Sequence, residues 1–315
     1  MSQRIVVCGA GFLGSNIAKS LTSAAFGSRP RRVQICSRNP EIVRASLIEQ
    51  GVDAKTLLPA VPVDITKPST LAPAFDGADV VVSLVGIMHG GENVARMAKN
   101  VGAKLIHFSA IGSDPNSSIP YVRTKALAER SVFEICPDAT VIRPSIVFGP
   151  GDSFFNRFAQ LSRFLPFLPV FGGGQALFQP VFVGDIARAV EIITRDDPAI
   201  RQEMAGKIIE AGGPDVFTYR EMMHLVLRYT RRRRPIVSLP FAIGMLQGLV
   251  LERLPNNLFT VTRAQVEQLK SDNIVSNSLA ANQYSFRYLV EQNTSTPLKS
   301  VHDILPGYLN IEKNP

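Results

Sequence analysis

Tyr121 and Lys125, in the segment YVRTK, are a phenol and an amine with the spacing of about one helical turn. On a helix, positions i and i+4 lie on the same face, so both groups could reach one bound ribose. Beside a nicotinamide such a pair can transfer a proton, because a nearby ammonium lowers the pKa of a phenol from about 10. The alternative is that the two residues merely share one side of a helix, since this spacing also occurs by chance. The choice depends on whether the preceding residues build a cofactor site.

A glycine pattern near the start of the chain favours a cofactor site. Gly9, Gly11 and Gly14 form G-x-G-x-x-G between the apolar run RIVVC and a helical pattern. The first glycine allows a tight turn, the second lets the backbone approach a diphosphate, and the third lets the helix pack closely on the strand. The helix that starts near Phe12 and Leu13 would hold the diphosphate with its N-terminal backbone N–H groups. We therefore predict dinucleotide binding here, the alternative being a glycine turn with a purely structural role.

The end of the second predicted strand indicates which dinucleotide is bound. NAD is usually recognised by an acidic residue about 20 positions after the last glycine, whereas an arginine suits the 2′-phosphate of NADP. The strand RRVQICSR ends in Ser37 and Arg38 and has no carboxylate. This favours NADP(H) over NAD(H), unless Arg38 is only a solvated residue at the edge of a loop.

Further cofactor contacts are predicted where later strands end, because dinucleotides bind at the carboxyl ends of parallel strands. Asp64 and Ile65 follow the third predicted strand and could meet the adenine. The remaining predicted contacts are Leu84, Val85 and Gly86 after the fourth strand, Pro144 and Ser145 in the segment RPSIVFGP, and Tyr121 and Lys125.

Apolar runs alternate with helical patterns through the first half of the chain. This alternation predicts an α/β fold with a doubly wound parallel sheet, a Rossmann fold, at residues 1–150. After Gly151 the chain becomes rich in Pro, Gly and bulky apolar residues, and we predict a smaller C-terminal lobe at 151–315.

The C-terminal half is also expected to return to the main sheet, near residues 180–225. The segment GKIIEAGGP (206–214) predicts a strand, and a helix should follow it. Thr218 and Glu221 have the T-x-x-E spacing of a capping box at the start of that helix.

Five segments, in this order, carry a family resemblance: GAGFLG, VDI, SLVG, YVRTK and RPSIVFGP. Over nearly its whole length the chain resembles the extended short-chain dehydrogenase/reductase, or epimerase/dehydratase, superfamily. IRPSIVFGPGDSFFNRFAQL, FQPVFVGDIARAV and EAGGPDVFTYREMM are similar to one atypical branch. That branch contains the NAD(P)H-binding accessory subunit of respiratory complex I, its bacterial relatives and a fungal mitochondrial protein of coenzyme Q synthesis.

Two features depart from the pattern of this superfamily. Its extended members usually have G-x-x-G-x-x-G, so the present turn is one residue shorter before Gly11, and we expect either a tighter diphosphate loop or one with an altered register. The segment between Gly86 and Gly102 is short for a complete crossover helix with its loops. We therefore expect a trimmed wall on that side of the cofactor.

The resemblance implies roles for three residues. Tyr121 would be the acid/base, Lys125 would lower its pKa and bind the nicotinamide ribose, and Ser109 would orient a substrate carbonyl. The narrower branch, however, resembles proteins whose nucleotide is structural, and a tightly bound dinucleotide stabilises a fold by mass action alone. Two hypotheses follow: a nucleotide-binding auxiliary protein, and an active NADP-dependent reductase or epimerase acting on a small or isoprenoid carbonyl compound.

The resemblance also implies quinone-pathway or respiratory-complex partners and a location on the matrix face of the mitochondrial inner membrane. Composition indicates an ordinary globular chain, because 45% of its 315 residues are hydrophobic and 19% charged. No signal-peptide pattern precedes Ile5, and no apolar run approaches the ~18 residues of a membrane span. A bacterial cytoplasm is therefore the alternative location.

Cysteines and histidines predict neither a disulfide framework nor a metal site. The three cysteines form no C-x-x-C and are odd in number, which fits a reducing compartment. The four histidines, His89, His107, His224 and His302, have no metal-ligand spacing.

A run of four arginines, Arg231 to Arg234, stands just before an apolar helix candidate. With a net charge of +8, such a run favours attraction to an anionic membrane surface. The alternative is a solvated basic turn before a core helix. Nucleic-acid binding is not expected, because no recognised binding motif and no interleaved aromatic residues accompany the run.

Overall fold

The computed structural model of the chain describes residues 2–23, 29–85, 88–253, 255 and 257–309. The strands are β1 Gln3–Cys8, β2 Arg31–Ser37, β3 Val61–Pro62, β4 Val80–Ser83, β5 Lys104–Phe108, β6 Thr140–Pro144, β7 Val147–Phe148, β8 Leu168–Phe171, β9 Leu177–Phe178, β10 Val181–Phe182, β11 Ile208–Ala211, β12 Phe217–Thr218 and β13 Ile236–Leu239.

Seven of these strands form one parallel sheet in the order β11-β6-β5-β4-β1-β2-β3. The strands β4 and β5 are buried throughout, and β1 nearly so, as expected for a parallel sheet covered on both faces. The order reverses beside β1, which lies between β4 and β2, and a cleft forms at such a switch point. The predicted doubly wound α/β fold is confirmed, as is the return of the chain to the sheet at β11.

Helices connect the strands and cover the sheet. They are α1 Phe12–Ser23, α2 Pro40–Glu49, α3 Pro68–Phe75, α4 Met88–Asn100, α5 Pro120–Ile135, α6 Phe155–Phe164, α7 Val183–Ile193, α8 Pro198–Met204, α9 Tyr219–Tyr229, α10 Phe241–Leu251, α11 Arg263–Gln268, α12 Phe286–Thr294 and α13 Val301–Tyr308. Among the described helices, none combines the length and the apolar character needed to cross a membrane.

Two expectations about these helices had opposite outcomes. The capping box is confirmed, since the Thr218 hydroxyl and the Glu221 side chain cap each other's backbone N–H at the start of α9. The expectation of a shortened crossover between Gly86 and Gly102 is wrong, because α4 is a complete helix of 13 residues. The helix fills nearly all of this segment, so only short connections are left at its two ends.

The two faces of the sheet carry separate cores, because successive strand residues point to opposite sides. Val7 on one face packs with Ile17 of α1 and with residues of α7 and α12. Val6 on the other face packs with Val94 of α4 and Val132 of α5.

A third core belongs to the C-terminal part of the chain. It is rich in aromatic and long aliphatic side chains, including Phe148, Phe155, Leu168, Tyr219 and Met222. Three two-stranded pairs, β10-β7, β12-β9 and β13-β8, frame it. The smaller lobe is therefore present, while a domain boundary at 150/151 stays a prediction.

Candidate nucleotide-binding site

The glycine turn occupies three residues between β1, which ends at Cys8, and α1, which begins at Phe12. Gly9 has φ +110°, a left-handed conformation that residues with a Cβ rarely adopt. A Cβ on Gly14 would lie 1.8 Å from the Gly9 carbonyl oxygen, so α1 rests directly on the turn. At Gly11, by contrast, a Cβ would have no atom within 4 Å. The short turn thus packs closely on its inner side and leaves open space at its middle glycine.

This open space lies at the N-terminus of α1. The first N–H groups of a helix have no intrahelical acceptor, and the helix dipole places partial positive charge there. Leu84, directly after β4, supports the turn from the other side of the switch point, since a Cβ on Gly9 would lie 3.0 Å from Leu84 Cβ. Val85 is buried beside it, whereas Gly86 lies outside the described residues. The residues present therefore fit a diphosphate that approaches the turn along its backbone.

The end of β2 brings Ser37 and Arg38 beside the turn, because Cys36 pairs in register with Cys8. The hydroxyl of Ser37 accepts a hydrogen bond from Asn39 N (3.1 Å), and Arg38 is exposed. Arg38 makes no ion pair within the described part of the chain.

Asp64 follows β3 and lies close enough to Arg38 for their charges to interact. The pKa of Asp64 is lowered mainly by hydrogen bonds from the hydroxyl and the backbone N–H of Thr66, with smaller contributions from Lys67 and Arg38. Because Thr66 already binds the carboxylate, Arg38 remains available to another anion. The two predicted adenosine-side positions are thus neighbours in the fold.

The loop after β3 is held by a residue that sequence reasoning missed. Asn93, on α4, donates its amide to the Ile65 carbonyl oxygen (2.9 Å). On the same helix, a Cβ on Gly90 would lie 2.6 Å from Ile65 Cδ1, so the helix and the loop are in close contact. The only sequence signal was a small residue and an amide three positions apart on one helix face, which does not identify the loop they meet.

Tyr121 and Lys125 lie in the first turns of α5, which begins at Pro120 and places them on one face as predicted. The amine of Lys125 is buried and donates to the Phe108 carbonyl oxygen (3.2 Å), at the end of β5. Ser109 is the next residue, and its Oγ lies 3.0 Å from Ser113 Oγ. Tyr121 is 47% exposed, and its hydroxyl has no hydrogen-bond partner among the described residues. The fold therefore brings Ser109 and Lys125 to the end of β5, with the half-exposed Tyr121 one turn before Lys125 on α5.

The electrostatics of this pair do not favour an ionised phenol. Partial burial raises the pKa of Tyr121, and no lowering by Lys125 accompanies it. Burial lowers the pKa of Lys125, an effect that Glu129 one turn further along α5 opposes. Glu129 is itself bound twice by Arg143 of β6, at 2.9 Å from Nε and 2.6 Å from Nη2. The sequence analysis missed both members of this buried ion pair.

His107 is a further buried group near Lys125 that the sequence analysis left without a role. Its Nδ1 lies 3.3 Å from Ser83 Oγ, and its Nε2 has no partner in the described structure. Burial, with a smaller effect of the Lys125 charge, lowers the pKa of His107 to about 3. The imidazole is therefore neutral at physiological pH. No cluster of metal-ligating side chains occurs in the described ranges.

Pro144 and Ser145 stand at the end of β6, on the same edge of the sheet. Ser145 is buried, and its hydroxyl donates to Asn273 Oδ1 (2.6 Å) and accepts from Gln179 N (3.3 Å). It thereby ties β6 to two segments of the C-terminal lobe. Cofactor contacts at these two positions stay predictions, as do those at the other predicted site residues.

Comparison with known proteins identifies relatives of the chain, although no protein-family model matches it. The chain is 31% identical over 215 residues to mitochondrial NADH dehydrogenase (ubiquinone) 1 alpha subcomplex subunit 9 of Arabidopsis thaliana, covering 63% of this chain and 52% of that protein. The Mus musculus subunit of the same name is 28% identical over 228 residues, covering 72% and 56%. These complex I subunits are homologues of the chain. Their match confirms the resemblance to this branch, and the chain spans about half the length of the curated relatives it matches.

Other similarities concern an enzyme and the fold. A ceramide reductase of Caulobacter vibrioides is 28% identical over 180 residues, with 53% of each protein covered. The triphenylmethane reductase of Citrobacter sp., solved with NADP(H), superposes with a TM-score of 0.69 at 17% identity over 98% of this chain and 99% of that one. The dTDP-glucose 4,6-dehydratase of Streptomyces venezuelae, solved with NAD and TYD, gives 0.68 at 17% identity, over 98% and 96%. These two structures establish that the fold is that of the short-chain dehydrogenases/reductases.

Proposed function

We propose that the chain binds a nicotinamide dinucleotide, NADP(H) in preference to NAD(H), at the cleft between β1 and β4. The observation that carries this proposal is the opening at Gly11, in a turn that is otherwise closely packed at Gly9 and Gly14. A diphosphate could approach the backbone there and meet the N-terminus of α1. The nucleotide-bound neighbours of the same fold support this choice of ligand.

The preference for NADP(H) rests on the adenosine side of the cleft. No carboxylate stands at the end of β2 to accept hydrogen bonds from both ribose hydroxyls. Arg38 is exposed there, while the nearby Asp64 is already bound by Thr66. A guanidinium in this position can bind a 2′-phosphate with charge-assisted hydrogen bonds.

The bound nucleotide would have a structural role. The chain would be an auxiliary protein of mitochondrial respiratory or quinone metabolism, acting either within complex I or in coenzyme Q biosynthesis. Homology to complex I subunits supports respiratory-complex proteins as partners. The state of Tyr121 supports a structural nucleotide, because its pKa is raised and its hydroxyl has no partner among the described residues. We further propose a matrix-side location at the inner membrane with peripheral contact to anionic lipid, a bacterial cytoplasm being the alternative.

One experiment tests the structural role. The purified full chain is denatured, the released nucleotide is identified, and the native protein is then mixed with quinone-pathway intermediates while the nicotinamide absorbance is followed. We expect stoichiometric NADP(H) that never changes its redox state. Absence of nucleotide, together with no binding of added NADPH, would refute the proposal, and stoichiometric oxidation or reduction would replace it with the second candidate.

The second candidate is an active NADP-dependent reductase or epimerase on a small or isoprenoid carbonyl substrate. Two observations favour it: similarity to a ceramide reductase, and the convergence of Ser109 and Lys125 at the end of β5 with Tyr121 on the adjoining helix. Turnover would require Tyr121 to exchange a proton with the substrate. Tyr121→Phe should then abolish turnover while NADPH remains bound.

A further inference from the structure

Helix α10 packs against the lobe through a face of glycines. A Cβ on Gly244 would lie 2.7 Å from Phe171 Cε1 and 3.0 Å from Val266 Cγ1. A Cβ on Gly248 would lie 2.7 Å from Arg263 N. These contacts orient the helix, because only side-chain-free positions can approach β8 and α11 so closely.

The outer face of α10 is apolar and exposed. Ile243, Leu246 and Leu249 recur every three residues, and Leu246 is 64% exposed. The helix sequence FAIGMLQGLVL contains one polar residue and no charge. A helix of this composition is usually buried on all sides, so a contiguous exposed apolar face of this kind indicates contact with an apolar partner.

The arginine run is joined to this helix by β13, a strand of four residues and thus ~13 Å long. Two of the arginines are held in place, since Arg232 Nη1 and Arg234 Nε donate to the Ser162 carbonyl oxygen at 3.2 and 3.4 Å. Ser162 lies in the last turn of α6, which ends in Phe164, and this ring is 68% exposed. The exposed Phe164 thus lies two residues along the chain from the carbonyl group that both guanidinium groups bind.

Four arginines at the end of α9 and before β13 form the arginine cluster: Arg228, Arg232, Arg233 and Arg234. It lines a cavity of about 490 Å3, formed by His224, Leu227, Arg228 and Arg231 to Arg234. Burial lowers the pKa of Arg232, and the charges of Arg163 and Arg234 lower it further. Within the described ranges, Arg228, Arg232, Arg233 and Arg234 form no ion pair with a carboxylate. A bound anion would relieve this repulsion.

We propose that the exposed face of α10 and the arginine cluster together form a docking surface for an anionic phospholipid bilayer. In this arrangement α10, about 16 Å long by its eleven residues, lies in the plane of the interface with Leu246 and its neighbours at the acyl boundary. The guanidinium groups bind head-group phosphates. This surface, called the α10 surface below, deepens the peripheral membrane contact of the proposed function and rests on it.

The choice of a bilayer over a protein partner follows from charge complementarity. An apolar protein groove would cover α10 but would leave Arg228, Arg232, Arg233 and Arg234 without an anionic partner. A phospholipid surface has an apolar layer directly beneath a dense layer of phosphates. The exposed leucines of α10 can enter the apolar layer while the arginines of the same lobe bind the phosphates.

The test is sedimentation of the full chain with vesicles of phosphatidylcholine alone or with added cardiolipin, at low and high salt. Leu246→Gln with Leu249→Gln should lower binding about tenfold at every salt concentration, because each change removes apolar area from the interface. Arg232, Arg233 and Arg234→Gln should lower binding to cardiolipin vesicles about 100-fold at low salt and little at high salt, because the attraction is screened.

Matched controls keep the outcome specific. The first control, Ile42→Gln, removes an exposed apolar residue from the nucleotide-binding part. The second control replaces three exposed basic residues, Lys19, Arg32 and Lys55, by Gln and so removes the same charge as the arginine variant. Both controls should bind vesicles as the wild type does. NADPH titration of every variant is performed in parallel. Unchanged vesicle binding in both α10-surface variants, or equal binding of neutral and cardiolipin vesicles by the wild type, would overturn this proposal. Intact NADPH binding in the same variants would show that the proposed nucleotide site is unaffected by that outcome. A dimer in sedimentation velocity that only the leucine variant dissociates, with no vesicle binding, would instead assign α10 to a second copy of the chain.

Discussion

The glycine turn and the α10 surface are both proposed binding sites, but the first is built from backbone groups and the second from side chains. The turn presents the N-terminus of α1 and depends on missing side chains at Gly9, Gly11 and Gly14. The α10 surface consists of side chains, Leu246 and the arginines among them, and uses its glycines only on the buried side. A backbone site should fail completely when one Cβ is added, whereas a side-chain surface should weaken in steps.

The largest effect is expected from Gly11→Val, which would sharpen this comparison most. A Cβ at this position meets no protein atom within 4 Å, so we expect the chain to fold, but the side chain would occupy the space that the diphosphate needs. We expect affinity for both NADPH and NADH to fall more than about 100-fold in a fluorescence titration. Gly307→Val is the control, because a Cβ there also meets nothing within 4 Å and lies far along the chain in α13. Unchanged binding in a folded Gly11 variant would mean that the short turn holds its ligand differently.

Arg38→Asp tests whether one side chain adds selectivity to the backbone site. The change removes a cation and places a carboxylate near the 2′-phosphate, so NADPH affinity should fall about 10- to 100-fold and NADH affinity much less. The measurement is a paired titration with both nucleotides. Arg32→Asp, an exposed position at the other end of β2, should alter neither. Equal losses for the two nucleotides at position 38 would contradict the NADP(H) preference.

Phe164→Ser probes the aromatic edge of the arginine cluster. The exposed ring should enter the interface beside the head groups, so its removal is expected to lower vesicle binding about fivefold without changing NADPH affinity. Val216→Ser, at another exposed apolar position of the lobe, serves as the control in the same sedimentation assay. If both substitutions weaken binding equally, the ring has no special place in the α10 surface.

The smallest effect is expected from Tyr121→Phe. The side chain is half exposed, and its hydroxyl could make one neutral hydrogen bond to a ribose, so NADPH affinity should fall less than about fivefold. The raised pKa of Tyr121 keeps the phenol protonated at neutral pH, so this small effect should not depend on pH there. A loss as large as that of Gly11→Val would show that the pair, rather than the turn, holds the nucleotide.

Local signals predicted the elements well and their long-range contacts poorly. The turn between β1 and α1 follows from glycine spacing, and the α9 capping box from Thr218 and Glu221, because both depend on neighbours in the chain. The expectation that the segment between Gly86 and Gly102 is too short for a complete helix is wrong, because α4 occupies 13 of its residues and needs only short connections. Roles at the cofactor-binding and catalytic positions stay predictions.

The sequence by itself determined the alternation of strands and helices, the glycine turn, the lack of a carboxylate at the end of β2 and the shared helix face of Tyr121 and Lys125. Only the tertiary structure decided that Asn93 holds Ile65, that Arg143 binds Glu129, and that α10 turns its leucines outward. The physical reason is that periodicity and turn chemistry act between near neighbours, whereas these contacts join residues that the chain brings together only when the sheet is complete. An apolar helix has the same sequence pattern whether a core or a bilayer covers it, and packing alone distinguishes the two.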